Sequence, residues 1–435
     1  MEEALTIKKQ LKISIPMAFE NLVNIFMTLI DTLVIASLGS KALGALGAMG
    51  VILSIMQMST QTIQVSNRTL IAKAFGEKNQ SKVKQMTGNA VLLTIGISVI
   101  TILIVWWIQS FLPTLFQVDY SRSVTYLSIR LVGFLQTSVV TVLSSYQRVI
   151  GKQNRVLVLR ILAVISNLIL DVIVVQKGYQ IVGVAWVTVI IDTILCFYFV
   201  ATSFLNYRFQ KAYMKELVNL CKWNFVERIA SKVDNFIFNL IVARMGSLEY
   251  GVHVIAIQIA DIYETFTQGF GDGITISIGV ALGKNTKQAM QEMKEIAKKL
   301  IKISSIIFPM VFLLIAILIM KIAMPEEASK FIFYQILPLL VLGCYITMSG
   351  TYYFSILRGI KEFAFLAKRN MMSSVIKIVI AMILAYTPLG IIGVWIAYLS
   401  YAITQKYVSK RKYQQIEKQR EEKLEEIKEK WISIN

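Results

Sequence analysis

Uninterrupted apolar runs of about 20 residues recur along the whole chain, and they decide what it can fold into. A helix needs about 20 such residues to cross a roughly 30 Å hydrocarbon core. Inside lipid every backbone polar group must be satisfied within the protein, so only helices and closed barrels span a membrane. Barrel strands would alternate in segments of about 10 residues; these runs do not alternate. The chain, 435 residues and 56% hydrophobic, is therefore predicted to be an all-α integral membrane protein. Twelve spans fit, at roughly 13–38, 43–70, 87–112, 122–147, 155–176, 179–205, 223–245, 250–280, 299–324, 331–357, 364–387 and 389–408. Turns at Gly39-Ser40, Lys177-Gly178, Gly246-Ser247 and Thr387-Pro388 separate several of them.

The net charge of +19 belongs to membrane topology rather than to nucleic acid. Basic residues gather in alternate loops: Lys8, Lys9 and Lys12; Lys73, Lys78, Lys82 and Lys84; Arg148, Lys152 and Arg155; Arg208, Lys211 and Lys215; Lys284, Lys287 and Lys294; Arg358, Lys361 and Lys368. The other loops hold little beyond Lys41, Arg122, Lys177 and Lys330. The positive-inside rule then puts both termini in the cytoplasm. The start, MEEALTIKKQLK, has no small-residue cleavage site, so no cleavable signal is expected. The tail YQQIEKQREEKLEEIKEKW reads as a charged helix with an apolar stripe at Ile416, Leu424, Ile427 and Trp431.

No enzyme is expected. Cys196, Cys221 and Cys344 form neither a disulfide framework nor a metal spacing. His253 is the sole histidine and cannot build a zinc site alone. There is no Gly-rich phosphate loop and no G-x-S-x-G.

The halves repeat. A shift of 207 lays Leu33–Gly44 on Leu240–Gly251, with Glu20 on Glu227, and "AFG" at 74–76 on "ALG" at 281–283. Later the shift becomes 210: Arg148 meets Arg358, and "IVGV" at 181 meets "IIGV" at 391. Two six-helix halves follow. Six spans is an even number, so the repeats are parallel, a design in which transport proteins place a site at the repeat interface.

Charges within a membrane cost several kcal/mol and face protein or a watery cavity. Helical spacing aligns Glu20, Asn24 and Asp31; Gln57, Gln61, Gln64 and Arg68; Asn167 and Asp171; Thr188 and Asp192; Glu227 and Asp234; and Gln258, Asp261, Gln268 and Asp272 with Glu264 at the edge. The plain alternative for each stripe is hydrogen bonding between helices. Several carboxylates with few cations among them favour a site that holds a proton or a cation. Arg68, Arg130 and Lys377 read either as partners of nearby carboxylates or as contacts to an anionic lipid-linked substrate.

In "SIPMAFENLVNIFMTLIDTLVIASLGSKALGALG", "AFGEKN", "YLSIRLVGFLQ", "RVIGKQNRVLVLRILAVISNLILD" and "GVAWVT", the chain resembles the multidrug and toxic compound extrusion (MATE) transporters, over about residues 10–408 and most closely their DinF-type branch. The resemblance implies a coupling-ion site at Asp31, Asn167, Asp171 and Thr188, with the other aligned polar residues as substrate-cavity candidates. It implies an exporter of cationic or amphipathic small molecules in a bacterial plasma membrane, driven by protons or sodium, with no cofactor. A flippase for a lipid-linked saccharide shares the superfamily fold, and a non-transporting scaffold is the other alternative. The expected division is an N-terminal lobe at 1–205, a cytoplasmic linker at 206–222, a C-terminal lobe at 223–408 and a helical tail at 409–435.

Overall fold

The computed structural model describes residues 6–111, 120–323 and 326–434. These form twelve helices and no strand: α1 Ile7–Ala36, α2 Ser40–Gly76, α3 Gln80–Ile108, α4 Tyr120–Val149, α5 Gln153–Gln176, α6 Gln180–Ser203, α7 Lys211–Ala243, α8 Ser247–Gly283, α9 Lys287–Ala323, α10 Glu327–Gly359, α11 Phe363–Leu384 and α12 Gly390–Ile434. Eight of them, α1 to α6 with α9 and α10, are long and apolar enough to cross a membrane on length and composition alone. The other four are α7, α8, α11 and α12; of these, α7 carries the stripe of Glu227 and Asp234 and α8 that of Gln258 to Asp272. The lipid-facing signature is a large apolar exposure within the helices, as at Phe26, Ile100, Phe197 and Leu314.

Several helices outrun a bilayer. The 37 residues of α2 make a rod about 55 Å long. Between the sixth and seventh spans, only residues 204–210 are non-helical, because α7 begins at Lys211 and runs unbroken to Ala243. The last span and the charged tail are one helix, α12. No glycine or proline follows Gly393, so nothing breaks the backbone between them. The side chains of Leu424, Ile427 and Trp431, which the tail's apolar stripe needs, lie outside the described residues.

The chain divides into two compact units: Lys8–Phe225 with Gly279–Met290, and Val226–Ile278 with Gln291–Asn435 and Met1–Ile7. The first thus contains α1 to α6 and the second most of α7 to α12. The core of the first unit joins Ile35 of α1, Met49, Leu53 and Met56 of α2, Leu127 and Phe134 of α4, and Val184, Ala185 and Val189 of α6. Lipid is as apolar as these side chains, so close packing and dispersion hold them together rather than escape from water. In the second unit Phe238 and Val242 of α7 pack on Ala381 and Ala385 of α11 and on Val394 and Ala397 of α12.

Two features fasten the first unit. The Tyr213 hydroxyl, at the start of α7, donates to Asn67 Oδ1 of α2 at 2.7 Å. Burial pushes that phenol well above its ordinary range, so it stays protonated and remains a donor. The ends of α2 and α8 also touch backbone to backbone. A Cβ on Gly76 would stand 2.1 Å from the Val280 carbonyl oxygen, and one on Gly283 would stand 2.0 Å from that of Lys73. Under the shift of 207, Gly76 corresponds to Gly283 and Lys73 to Val280. The two contacts are one contact made twice.

Candidate functional site

In the first unit, three of the four residues expected to hold an ion come together. Asp31 is half-buried on α1; Asn167 and Asp171, both fully buried, lie one turn apart on α5. The Asn167 amide, oriented with its nitrogen toward the carboxylates, donates to Asp31 Oδ1 at 2.7 Å and to Asp171 Oδ2 at 3.2 Å. Asp171 Oδ1 is buried and has no hydrogen-bond partner among the described residues. One neutral amide therefore serves two carboxylates and leaves one of their oxygens unserved, an expensive arrangement for buried groups. Thr188 is buried on α6, where its hydroxyl donates to the Val184 carbonyl at 3.1 Å. Its oxygen keeps lone pairs for another partner.

The surroundings are charged. Arg130 of α4, half-buried, and Asp192 of α6 both act electrostatically on Asp31, and Arg130 acts on Asp171 as well. Asp192 accepts from Thr137 Oγ1 at 2.5 Å. Tyr126 of α4, 5% exposed, faces the same group of charges. Sequence spacing did not single out Tyr126 or Thr137, because one aromatic or one hydroxyl on an apolar helix carries no periodic signal. Three carboxylates thus stand against one guanidinium, and the surplus negative charge suits one or two monovalent cations.

Glu20, aligned with Asp31 in the sequence, goes elsewhere. It is 1% exposed and is clasped by Arg148 of α4 through both Nε, at 2.9 Å, and Nη2. The second unit repeats the pair: Arg358 of α10 reaches Glu227 of α7 at 3.4 Å, with Asp272 of α8 at 3.9 Å from Arg358 and Arg369 of α11 at 3.9 Å from Glu227. Glu20 with Glu227, and Arg148 with Arg358, are the residues that the internal repeat laid on one another.

The remaining candidates fall into two groups. Asn24 is exposed on α1, whereas Gln57, Gln61 and Gln64 are half-buried and Arg68 is buried on α2. On α8, Gln258, Asp261 and Gln268 are exposed, with Glu264 half-buried and accepting from Gln268 Nε2 at 3.2 Å. An exposed polar stripe on a membrane helix suits a wall wetted by water rather than lipid. Asp234 is different again, buried and paired with Lys377 Nζ at 2.6 Å. The polar stripe on α8 and the buried carboxylates around Asn167 have the chemistry to hold cations, in two separate parts of the chain.

Comparison with known proteins bears on this arrangement. The MatE family model matches residues 16–173 and 225–387. Those two stretches cover the bulk of both halves. The fold is similar to a structure described as MATE in the straight conformation, with a TM-score of 0.86 at 18% identity over 95% of this chain and 98% of that one. It is similar to a MOP superfamily transporter from Pyrococcus furiosus, with a TM-score of 0.82 at 18% identity over 94% and 96% of the two chains; the description of that protein reports a binding pocket of reversed polarity. An outward-facing multidrug resistance MATE family transporter matches with a TM-score of 0.79 at 18% identity over 93% and 94%. No curated protein matches the sequence.

Proposed function

Because the chain belongs to the MatE family of multi-pass membrane transporters, we propose that it is a secondary active exporter, an antiporter that couples entry of a proton or a sodium ion to extrusion of a cationic or amphipathic small molecule. The observation that carries this reading is the pair of carboxylates, Asp31 and Asp171, sharing the single amide of Asn167 inside an apolar unit. With its nitrogen toward them, the amide partly satisfies both acids. Turned over, it offers its oxygen to a cation, alongside carboxylate and hydroxyl oxygens that suit a hard ion. Protonation of either acid serves the same end, since it removes the charge that has no partner. The four residues Asp31, Asn167, Asp171 and Thr188 are then the coupling-ion set, as in the DinF-type branch that the sequence resembles.

A coupling ion changes the balance between inward-open and outward-open states only by its differential affinity for the two. Neutralising a buried surplus charge supplies such a difference if the carboxylates are wetter in one state than in the other. On this reading the substrate cavity is polar and acidic. The exposed stripe of Gln258, Asp261 and Gln268 supports that, with Glu264, Asp272, Asn24, Gln57, Gln61 and Gln64 as further wall residues. The two halves act as lobes divided near residues 206–222, and the tail from 409 is cytoplasmic. The setting is a bacterial plasma membrane, with both termini inside.

The test is efflux from proteoliposomes loaded with a fluorescent organic cation, under a sodium gradient and a proton gradient applied separately. One gradient drives efflux in the wild type. Asp31→Asn and Asp171→Asn each remove most of the gradient-driven rate, while the protein stays folded. Efflux that survives both substitutions overturns the ion site. Efflux absent under either gradient overturns the antiporter and makes a lipid-linked saccharide the next substrate to assay.

A further inference from the structure

The internal repeat allows the ion set of the first half to be located in the second. The shift of 210 carries Asn167 to Lys377, Asp171 to Ala381 and Thr188 to Tyr398, and the shift of 207 carries Asp31 to Phe238. Phe238, Ala381 and Tyr398 meet in the packed core of the second unit. The positions of both acids are now hydrocarbon, and the amide position bears an ammonium.

That ammonium is well held. Lys377 is 3% exposed. Its Nζ lies 4.4 Å from the Phe238 ring centroid and 5.1 Å from that of Tyr401, within the range of a cation–π contact. It pairs with Asp234 Oδ2 at 2.6 Å, one turn before Phe238 on α7. Asp234 is 3% exposed, and its Oδ1 makes no hydrogen bond among the described residues. The charged or titratable groups that act on this pair are Asp261 and Glu264 of α8, His253 of α8 and Tyr401 of α12, with Arg369 of α11 acting on Tyr401. His253 is fully buried edge-on to Phe238 and Trp395, and neither of its ring nitrogens has a partner among the described residues. Asp234 therefore has the features of a cation ligand, and its cation is covalently part of the chain.

We propose that Lys377 is a tethered cation filling the second unit's counterpart of the ion site, with Asp234 as its carboxylate, so that this position takes no mobile cation until the ammonium is removed. The inference rests on the reading of the Asp31 set as an ion site only for the word counterpart. The Asp234–Lys377 pair stands on its own geometry. In a transporter so built, the Asp234 position keeps its cation while the Asp31 set gains and loses its own.

The test uses full-length protein in detergent, in an Asp31→Asn/Asp171→Asn background that silences the first set. Failure of that first reading then leaves the result unaffected. The readouts are binding of radioactive sodium and the melting temperature in sodium chloride against choline chloride, at neutral and acid pH. The background protein binds no sodium that Asp234→Asn removes. Adding Lys377→Met, or Lys377→Asn should the methionine variant not fold, leaves Asp234 without its counter-ion. Sodium binding then becomes saturable, or acid becomes stabilising, and the melting temperature rises by roughly 3–5 °C at a hundredfold excess of ligand. Adding Asp234→Asn removes the response. The proposal is overturned by a Lys377 variant that responds to neither sodium nor acid, or by a response that survives Asp234→Asn. Sodium binding by the background protein that is lost on Asp234→Asn also overturns it, and that arm needs no Lys377 variant.

Discussion

Glu20 and Arg148 are deeply buried, and each has the other as its charged partner. Breaking such a pair leaves one ion uncompensated and costs about 3–5 kcal/mol, whereas replacing both ions by neutral groups is often close to harmless. Arg148→Met should therefore lower the unfolding free energy by about 3–5 kcal/mol, and Glu20→Gln/Arg148→Met should recover most of it. A double-mutant cycle on denaturant unfolding in detergent decides this; simple additivity of the two single losses would sink it. Arg358→Met should cost less, because Arg369 stays within 3.9 Å of Glu227 and takes over part of the neutralisation. The internal repeat made Glu20, Arg148, Glu227 and Arg358 legible as matched positions, and spacing put Glu20 on the face of Asp31. Nothing in the sequence could say that Glu20 turns to an arginine 128 positions away while Asp31 turns to Asn167, because partner choice depends on how α4 and α5 are placed beside α1.

Gly76 and Gly283 make the same argument for whole helices. A methyl group at either position would overlap a carbonyl oxygen of the facing helix at about 2 Å, and a backbone cannot yield as a flexible side chain does. Gly283→Ala should force the ends of α2 and α8 apart, lowering both the melting temperature and the transport rate. A methyl group at Gly96, in the middle of α3, would meet nothing within 4 Å. There Gly→Ala should be neutral or stabilising by up to about 1 kcal/mol through helix propensity. Equal effects from the two substitutions would refute the claim that close approach, rather than helix propensity, governs Gly283. Existence of the helices was readable from apolar run length, and the turns at Gly39 and Gly246, with φ of 101° and 149°, from glycine itself. Helix extent was less readable. Lys211–Lys222 is polar enough to suggest a linker, yet it is helical and buries Tyr213 and Leu217; tertiary packing overrides a local composition signal of that kind.

At the scale of the molecule, the two halves share a repeat but differ in how they hold charge. Both hold a buried Glu–Arg pair; the first adds carboxylates around one amide and one arginine, and the second adds Arg369 beside Glu227 and Lys377 on Asp234. Outside the spans, the net charge of +19 is distributed unevenly among the turns. The turns after α2, α4 and α8 are rich in lysine and arginine; those after α1, α5 and α7 are nearly bare. A membrane potential negative inside, together with anionic inner-leaflet lipids, retains the basic turns, which is the physical content of the positive-inside rule. Single cysteines placed in a cysteine-free background test the resulting orientation. Ser81→Cys and Lys287→Cys stand on basic turns, and Lys177→Cys and Ser247→Cys on bare ones; all four positions are exposed. A membrane-impermeant maleimide applied to intact cells should label Lys177→Cys and Ser247→Cys alone, and inside-out vesicles should reverse the pattern. Labelling of Ser81→Cys in intact cells would invert the topology, and labelling of Ser81→Cys and Ser247→Cys together would break the parallel relation of the halves on which the comparison of their ion sites depends.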